Sequence, residues 1–177
     1  GPGVIRLIGN VGATHALGDV ALNSVAETRI DGTMNLGSLT TNAGGIVVLN
    51  GRSVTASGAI TLNDAVGLGD DTVLTGQTVT FKSTIDGAHS LEVRDSGITT
   101  FEGAIGGTTA LTSLTTDTPG SVALKAPLTL DFEARDGDTT LATAPGIALE
   151  RRQGVALVLR GSGGSYDLVS APNAIAK

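Results

Sequence analysis

A chain of 177 residues with a net charge of −6, no cysteine and two histidines is poorly equipped for several kinds of chemistry. No Lys/Arg stripe exists to neutralise phosphates, so nucleic acid is not an expected partner; zinc and thiol sites fail on the cysteine side, and no apolar run has membrane-spanning or signal-peptide character. Aromatics at 2% against 40% hydrophobic residues point to a narrow core of stacked Leu, Val, Ile and Ala, and 26 glycines point to many turns.

The chain opens on Gly1-Pro2-Gly3, which reads as a protease-cleavage scar, and residues 4–177 are expected to form one domain, a fragment of a larger protein. The phrase SLTTNAGGIVVL from Ser38 returns as SLTTDTPGSVAL from Ser113. Between them the chain repeats with a period near 25. The line beginning at Gly51 sets Val54 over Val79, Ile60 over Ile85, Val66 over Leu91, Leu68 over Val93 and Val73 over Ile98 in the line beginning at Gly76. A period of this size means one structural coil per repeat, each needing a neighbour to bury its apolar face.

Local pattern assigns the coils to strands. Val54-Thr55-Ala56, Val79-Thr80-Phe81, Leu91-Glu92-Val93, Val122-Ala123-Leu124, 128–132 and 155–159 all alternate apolar with polar or small residues. Branching at Cβ in Val and Thr favours the same state. Turn residues punctuate these runs at Asn42-Ala43-Gly44-Gly45, Gly69-Asp70-Asp71, Asp95-Ser96-Gly97, Pro119-Gly120 and Pro145-Gly146, expected to share one column. The fold class predicted is all-β: a right-handed parallel β-helix (β-solenoid) of about seven coils, handedness following the rule for parallel crossovers. At ~4.8 Å per coil the rod would be on the order of 30 Å long. Slips in the first, sixth and seventh lines predict bulges or altered turns. The core expected is Val54, Ile60, Leu68, Val79, Phe81, Ile85, Leu91, Val93, Ile98, Ile105, Leu111, Leu114, Val122 and Leu124.

Three segments, Ile60 to Gly76 (ITLNDAVGLGDDTVLTG), Thr78 to Val93 (TVTFKSTIDGAHSLEV) and Thr99 to Asp117 (TTFEGAIGGTTALTSLTTD), resemble repeats of filamentous-haemagglutinin-like bacterial exoproteins. The resemblance covers Ser38 to Ala126 well and the flanks loosely. It implies an extracellular β-helical shaft without catalysis, secreted or at the bacterial cell surface. The partners it implies are the rest of a larger polypeptide and a host or cell-surface glycan or protein engaged by other regions. Secretion through a dedicated outer-membrane partner is a further implication, although the family's export signature is not recognisable in the sequence.

Several residues invite chemical readings. Gly67-x-Gly69-x-Asp71-x-Val73 matches most of a calcium-binding nonapeptide, but it occurs once, with Val66 in place of the first Gly, so a plain Gly-Asp turn is expected. Asp70 and Asp95, one period apart with Asp71 beside Asp70, could stack as the acid pair of a carbohydrate-cleaving β-helix; their turn position, with Arg94 adjacent, argues against it. Asp131, Glu133 and Asp136-Gly137-Asp138 form the most acidic stretch and read as a solvated strand and turn, with weak cation binding as the lesser option. His15 and His89 read as surface or turn residues. Thr78 and Thr80, with Thr55 expected above Thr80, suggest an ice-binding ladder, but the corresponding places elsewhere hold Ile30, Ile105 and Leu130. Ser162 and Ser165 lack the context of a nucleophile elbow or phosphate loop. The expectation is therefore a non-catalytic spacer with no catalytic residue, cofactor or metal. A carbohydrate-binding or carbohydrate-cleaving β-helix is the alternative, and weak end-to-end self-association through strand edges is a third reading.

Overall fold

The structure, a computed structural model, describes residues 3–116 and 120–125, together with the backbone of the strands at 129–136, 139–148 and 166–168. In chain order the strands are β1 (Ile5–Leu7), β2 (Leu17–Leu22), β3 (Glu27–Ile30), β4 (Met34–Thr41), β5 (Ile46–Leu49), β6 (Ser53–Ala56), β7 (Ile60–Leu62), β8 (Ala65–Leu68) and β9 (Thr72–Gly76). They continue with β10 (Val79–Phe81), β11 (Ile85–Asp86), β12 (Ser90–Asp95), β13 (Ile98–Phe101), β14 (Ser113–Thr116), β15 (Ser121–Leu124), β16 (Thr129–Asp136), β17 (Thr139–Ala148) and β18 (Tyr166–Leu168). Among the described residues there is no helix.

The pairing makes a β-solenoid of about 6 turns. One sheet stacks β1-β3-β5-β8-β11. A second divides at the long strand β4, whose first half pairs with β6 and second half with β7. One arm continues β6-β9-β12-β14 and the other β7-β10-β13-β15-β18. Each coil therefore has three sides, called here the first, second and third faces in the order the chain visits them. Every pairing between coils is parallel.

Register gives the step from coil to coil. Thr28, Val47, Val66 and Ile85 lie side by side on the first face, 19 residues apart. Met34, Val54 and Leu74 do so on the second face at 20. The step lengthens to 23 at Ile5–Thr28 and again at Leu91–Leu114. It is thus somewhat shorter than the repeat seen in the sequence, and the residues that align at 25 are not stacked on one another. Val54 lies beside Leu74, and Val79 beside Ile60. All five aligned pairs advance by one face: Val54 is on the second and Val79 on the third, Ile60 on the third and Ile85 on the first. Twenty-five residues make one coil plus one further side. For the same reason the punctuating turns do not share a column. Asn42–Gly45 turns the third face into the first, Gly69–Asp71 the first into the second, and Asp95–Gly97 the second into the third. Gly120 stacks beside Gly97, where the amide of Ser121 donates to the Gly97 carbonyl at 2.8 Å.

Strand alternation places one residue in two inside the coil. Twelve of the fourteen expected core residues are buried, and Leu114 packs part-buried against them. Ile98 is the exception: it points outward, 50% exposed, and its neighbour Thr99 takes the inward place at 2%. The Thr99 position stacks on Val79 and Val122, which fixes the parity, and its hydroxyl donates to the Asp95 carboxylate. Inside the third face Phe81 and Phe101 stack with ring centroids 5.0 Å apart and planes 10° apart. Each such fully buried side chain contributes about 1.5–3 kcal/mol before conformational entropy is subtracted.

The corner between the first and second faces depends on glycine. A methyl group at Gly51 would lie 1.9 Å from the Gly32 carbonyl oxygen, and one at Gly32 would lie 2.3 Å from that of Gly9. Successive coils approach too closely there for any side chain.

Beyond β15 the step on the third face grows to 44 residues, from Val122 to Tyr166. The interval holds β16 and β17, which pair antiparallel with register shifts at Leu130/Phe132 and Ala134/Arg135. Irregularity was expected in this stretch; an antiparallel hairpin was not. Pro145 and Gly146, expected as a turn, lie within β17. Gly1-Pro2, Pro119, Gly137-Asp138, Arg151-Arg152, the strand at 155–159, Ser162 and Ser165 lie outside the described residues, as do the side chains of Leu130, Asp131, Glu133 and Asp136.

Candidate functional site

The acidic corner of the fourth coil is the first place to look for chemistry. Asp70 and Asp71 follow β8 at the corner between the first and second faces. Asp70 Oδ1 accepts the Asp71 amide at 2.8 Å, and Oδ2 lies 3.6 Å from Arg52 Nε. Asp71 Oδ1 accepts the Ser90 amide of the next coil at 2.8 Å and lies 3.7 Å from His89 Nδ1. That amide, with His89 and Arg52 nearby, holds the Asp71 carboxyl below the ordinary aspartate pKa. His89 thus has the acidic neighbour that its sequence context does not supply, while His15 is exposed on the first coil.

Asp95 does not join this corner. It ends β12 at the next corner round, where its position stacks beside Gly76, and only 4% of it is exposed. One carboxylate oxygen accepts the Thr99 hydroxyl. The acid pair suggested by the 25-residue spacing is therefore not assembled: one carboxylate ties two coils together at the surface and the other is inside.

Of the two glycines of the calcium-like motif, Gly69 has a packing reason, whereas a methyl group at Gly67 would make only ordinary contacts with Ile46 and Val48 at 3.6 and 3.9 Å. A methyl group at Gly69 would fall 1.8 Å from Asn50 Oδ1, whose amide donates through Nδ2 to Asp31 at 2.6 Å. Asp31 also receives Arg6 Nε at 2.9 Å and Arg29 Nε at 3.1 Å. Asn50 first, then Arg6, holds its carboxyl below the ordinary value. Residues of three successive coils converge on this one carboxylate. Among the described residues no three His, Cys, Asp or Glu side chains are grouped so as to hold a metal ion.

Two outward columns escape a reading at period 25 and emerge at the true step. Lys82, Glu102 and Lys125 follow β10, β13 and β15, with Nζ–Oε1 distances of 2.9 Å from Lys82 and 3.5 Å from Lys125. The two ammonium groups, Lys82 foremost, hold the Glu102 carboxyl down. On the same face Thr40, Thr61, Thr80 and Thr100 stand in one column on four consecutive coils. Thr55, expected above Thr80, instead lies beside Thr75 on the second face. Ile30 and Ile105, which had weighed against a threonine array, are inward core residues with no exposure. The second outward column of that face runs Asp19, Ser38, Ala59, Thr78, Ile98 and Ser121, so hydroxyl groups do not fill it.

A second buried carboxylate, Asp64, is 1% exposed at the corner between third and first faces. Its Oδ1 accepts the Gly45 amide of the preceding coil at 2.7 Å. The Asp64 amide in turn reaches Thr41 Oγ1 at 3.3 Å, and Asn63 Nδ2 donates to the Thr41 carbonyl at 2.5 Å. Sequence reading singled out none of the side chains of Thr41, Asn63 and Asp64; Thr41 and Asp64 are polar residues at inward places of the alternation, where an apolar residue is expected.

No protein-family model matches the chain. No curated protein and no solved structure matches it either.

Proposed function

We propose that this chain is a non-catalytic shaft segment of a secreted or surface-exposed bacterial adhesin-like protein, of the filamentous-haemagglutinin-like kind its repeats resemble. The observation that carries the reading is the use made of its polar side chains. Asp31, Asp64, Asp71 and Glu102 each bind a group on a neighbouring coil. Side chains committed to holding coil to coil stiffen a rod. Its mechanical role is to keep other regions of a larger polypeptide at a distance, where they meet a glycan or protein.

Limited proteolysis, a glycan array and a reducing-end release assay test this together. A shaft resists cleavage across residues 27–116, retains no glycan and releases no sugar ends. Saturable glycan retention, or sugar release abolished by Asp71→Asn, would establish the carbohydrate-binding or carbohydrate-cleaving alternative instead.

A further inference from the structure

We infer that Asn50 is a covalent modification site: the Asn50–Gly51 pair is locked while the coils are stacked, deamidates once they open, and then no longer fits the stack. The inference does not depend on the shaft reading. Asparagine followed by glycine is the pair most prone to deamidation, because no side chain keeps the glycine nitrogen from the carboxamide carbon. The chain has one such pair. It lies directly after β5, at the corner between the first and second faces, and the groups that hold it come from the coils before and after. Gly51 cannot be exchanged for a residue that would protect the bond. A methyl group there would lie 1.9 Å from the Gly32 carbonyl oxygen. The glycine that lets the coils meet is the one that makes the bond labile.

In the stacked chain both reacting groups are engaged elsewhere. Gly51 is buried, and its amide donates to the Ile30 carbonyl at 2.8 Å. The Asn50 carboxamide is held from two sides. Its Nδ2 donates to Asp31 Oδ1 at 2.6 Å on the preceding coil, and its Oδ1 lies against Gly69 on the following one, where not even a methyl group would fit. Reaction requires the Gly51 nitrogen to leave Ile30 and the carboxamide to turn away from Asp31. The Gly51 nitrogen then bonds to Asn50 Cγ and closes a succinimide ring. The bond from Cγ to Nδ2 breaks, and Nδ2 departs as ammonia with the proton that Gly51 gives up. Water opens the ring at either carbonyl, leaving aspartate or isoaspartate at position 50. Aspartate sets an acceptor where Asp31 needs a donor and brings two carboxylates to hydrogen-bond distance. Isoaspartate lengthens the backbone by one carbon at a corner that has no room for a methyl group. Either product blocks restacking, so opening at this corner becomes irreversible.

Peptide mapping by mass spectrometry tests the inference on the 177-residue chain, held at mildly alkaline pH with and without unfolding urea. Conversion of Asn50 to the acid is read from the peptide Ile30–Arg52. It should be at least about tenfold slower in the stacked chain than in urea, because only the opened fraction reacts. Once urea is removed, converted chains should melt several degrees below unconverted ones from the same sample, or stay unfolded. Asn50→Asp installs one product directly and should show the same loss. Asn35→Asp, at an exposed position on the second face, should leave the melt unchanged. Conversion at comparable rates with and without urea, or no conversion in urea, would overturn the proposal. So would converted chains that regain the wild-type melt, or an Asn35→Asp loss as large as that of Asn50→Asp.

Discussion

Val79 and Thr80 are neighbours in β10, yet they belong to two stacks with opposite demands. Val79 stands in the inward column between Ile60 and Thr99 and has no exposure. Thr80 stands in the outward column between Thr61 and Thr100, where water reaches it. The same backbone bonds serve both, so the contrast isolates what the side chains contribute. The inward column must match its neighbours in volume and polarity; the outward one only has to suit an extended backbone.

The largest expected effect is from Val79→Asp, which buries a charge with no counter-ion and should cost several kcal/mol. A circular-dichroism melt should show the chain unfolded or melting far below wild type, and a melt within a degree or so would refute the inward assignment. Next comes Phe101→Ala, which removes the ring stacked on Phe81 and should cost about 3–5 kcal/mol, read from the urea midpoint. Acid should act on the outward side. Asp31, Asp71 and Glu102 titrate lower in the folded chain than their ordinary values, so the unfolded chain takes up protons first. Their contribution is complete above the unfolded values and is lost as pH falls through the folded ones, so the melting temperature should drop below about pH 4. Glu102→Gln should make that drop shallower. The smallest effect is predicted for Thr80→Val, within about 0.5 kcal/mol of wild type; a larger loss would give the threonine column a structural role that its exposure does not suggest.

Alternation made the strands legible in the sequence, because an inward residue at Val54, Leu91 or Val122 needs only a polar or small neighbour to reveal it. The coil step was harder to read. All three faces demand the same inward aliphatic pattern, so a shift of one coil plus one side scores as a repeat just as a shift of one coil does. That displaced every inference built on columns, from the pairing of Asp70 with Asp95 to the dismissal of the threonine array. Ile98 was misplaced for a different reason. Hydropathy favours isoleucine inside over threonine, but the Asp95 carboxylate accepts the hydroxyl of Thr99 and removes the usual cost of burying it. The bonds of Asp31 and Asp64 to other coils depend on which turns meet, and that follows from the step.

Because 25 residues carry the chain one coil along the axis and one side around it, a unit of that length does more than extend the rod. Whatever it displays is turned by a third of a revolution relative to the unit before. A series of such units would wind its surface features around the axis like treads on a spiral stair. In this chain the longer step near the end alters the count: the 75-residue echo runs from Ser38 on the third face to Ser113 on the second, three coils and two sides further on.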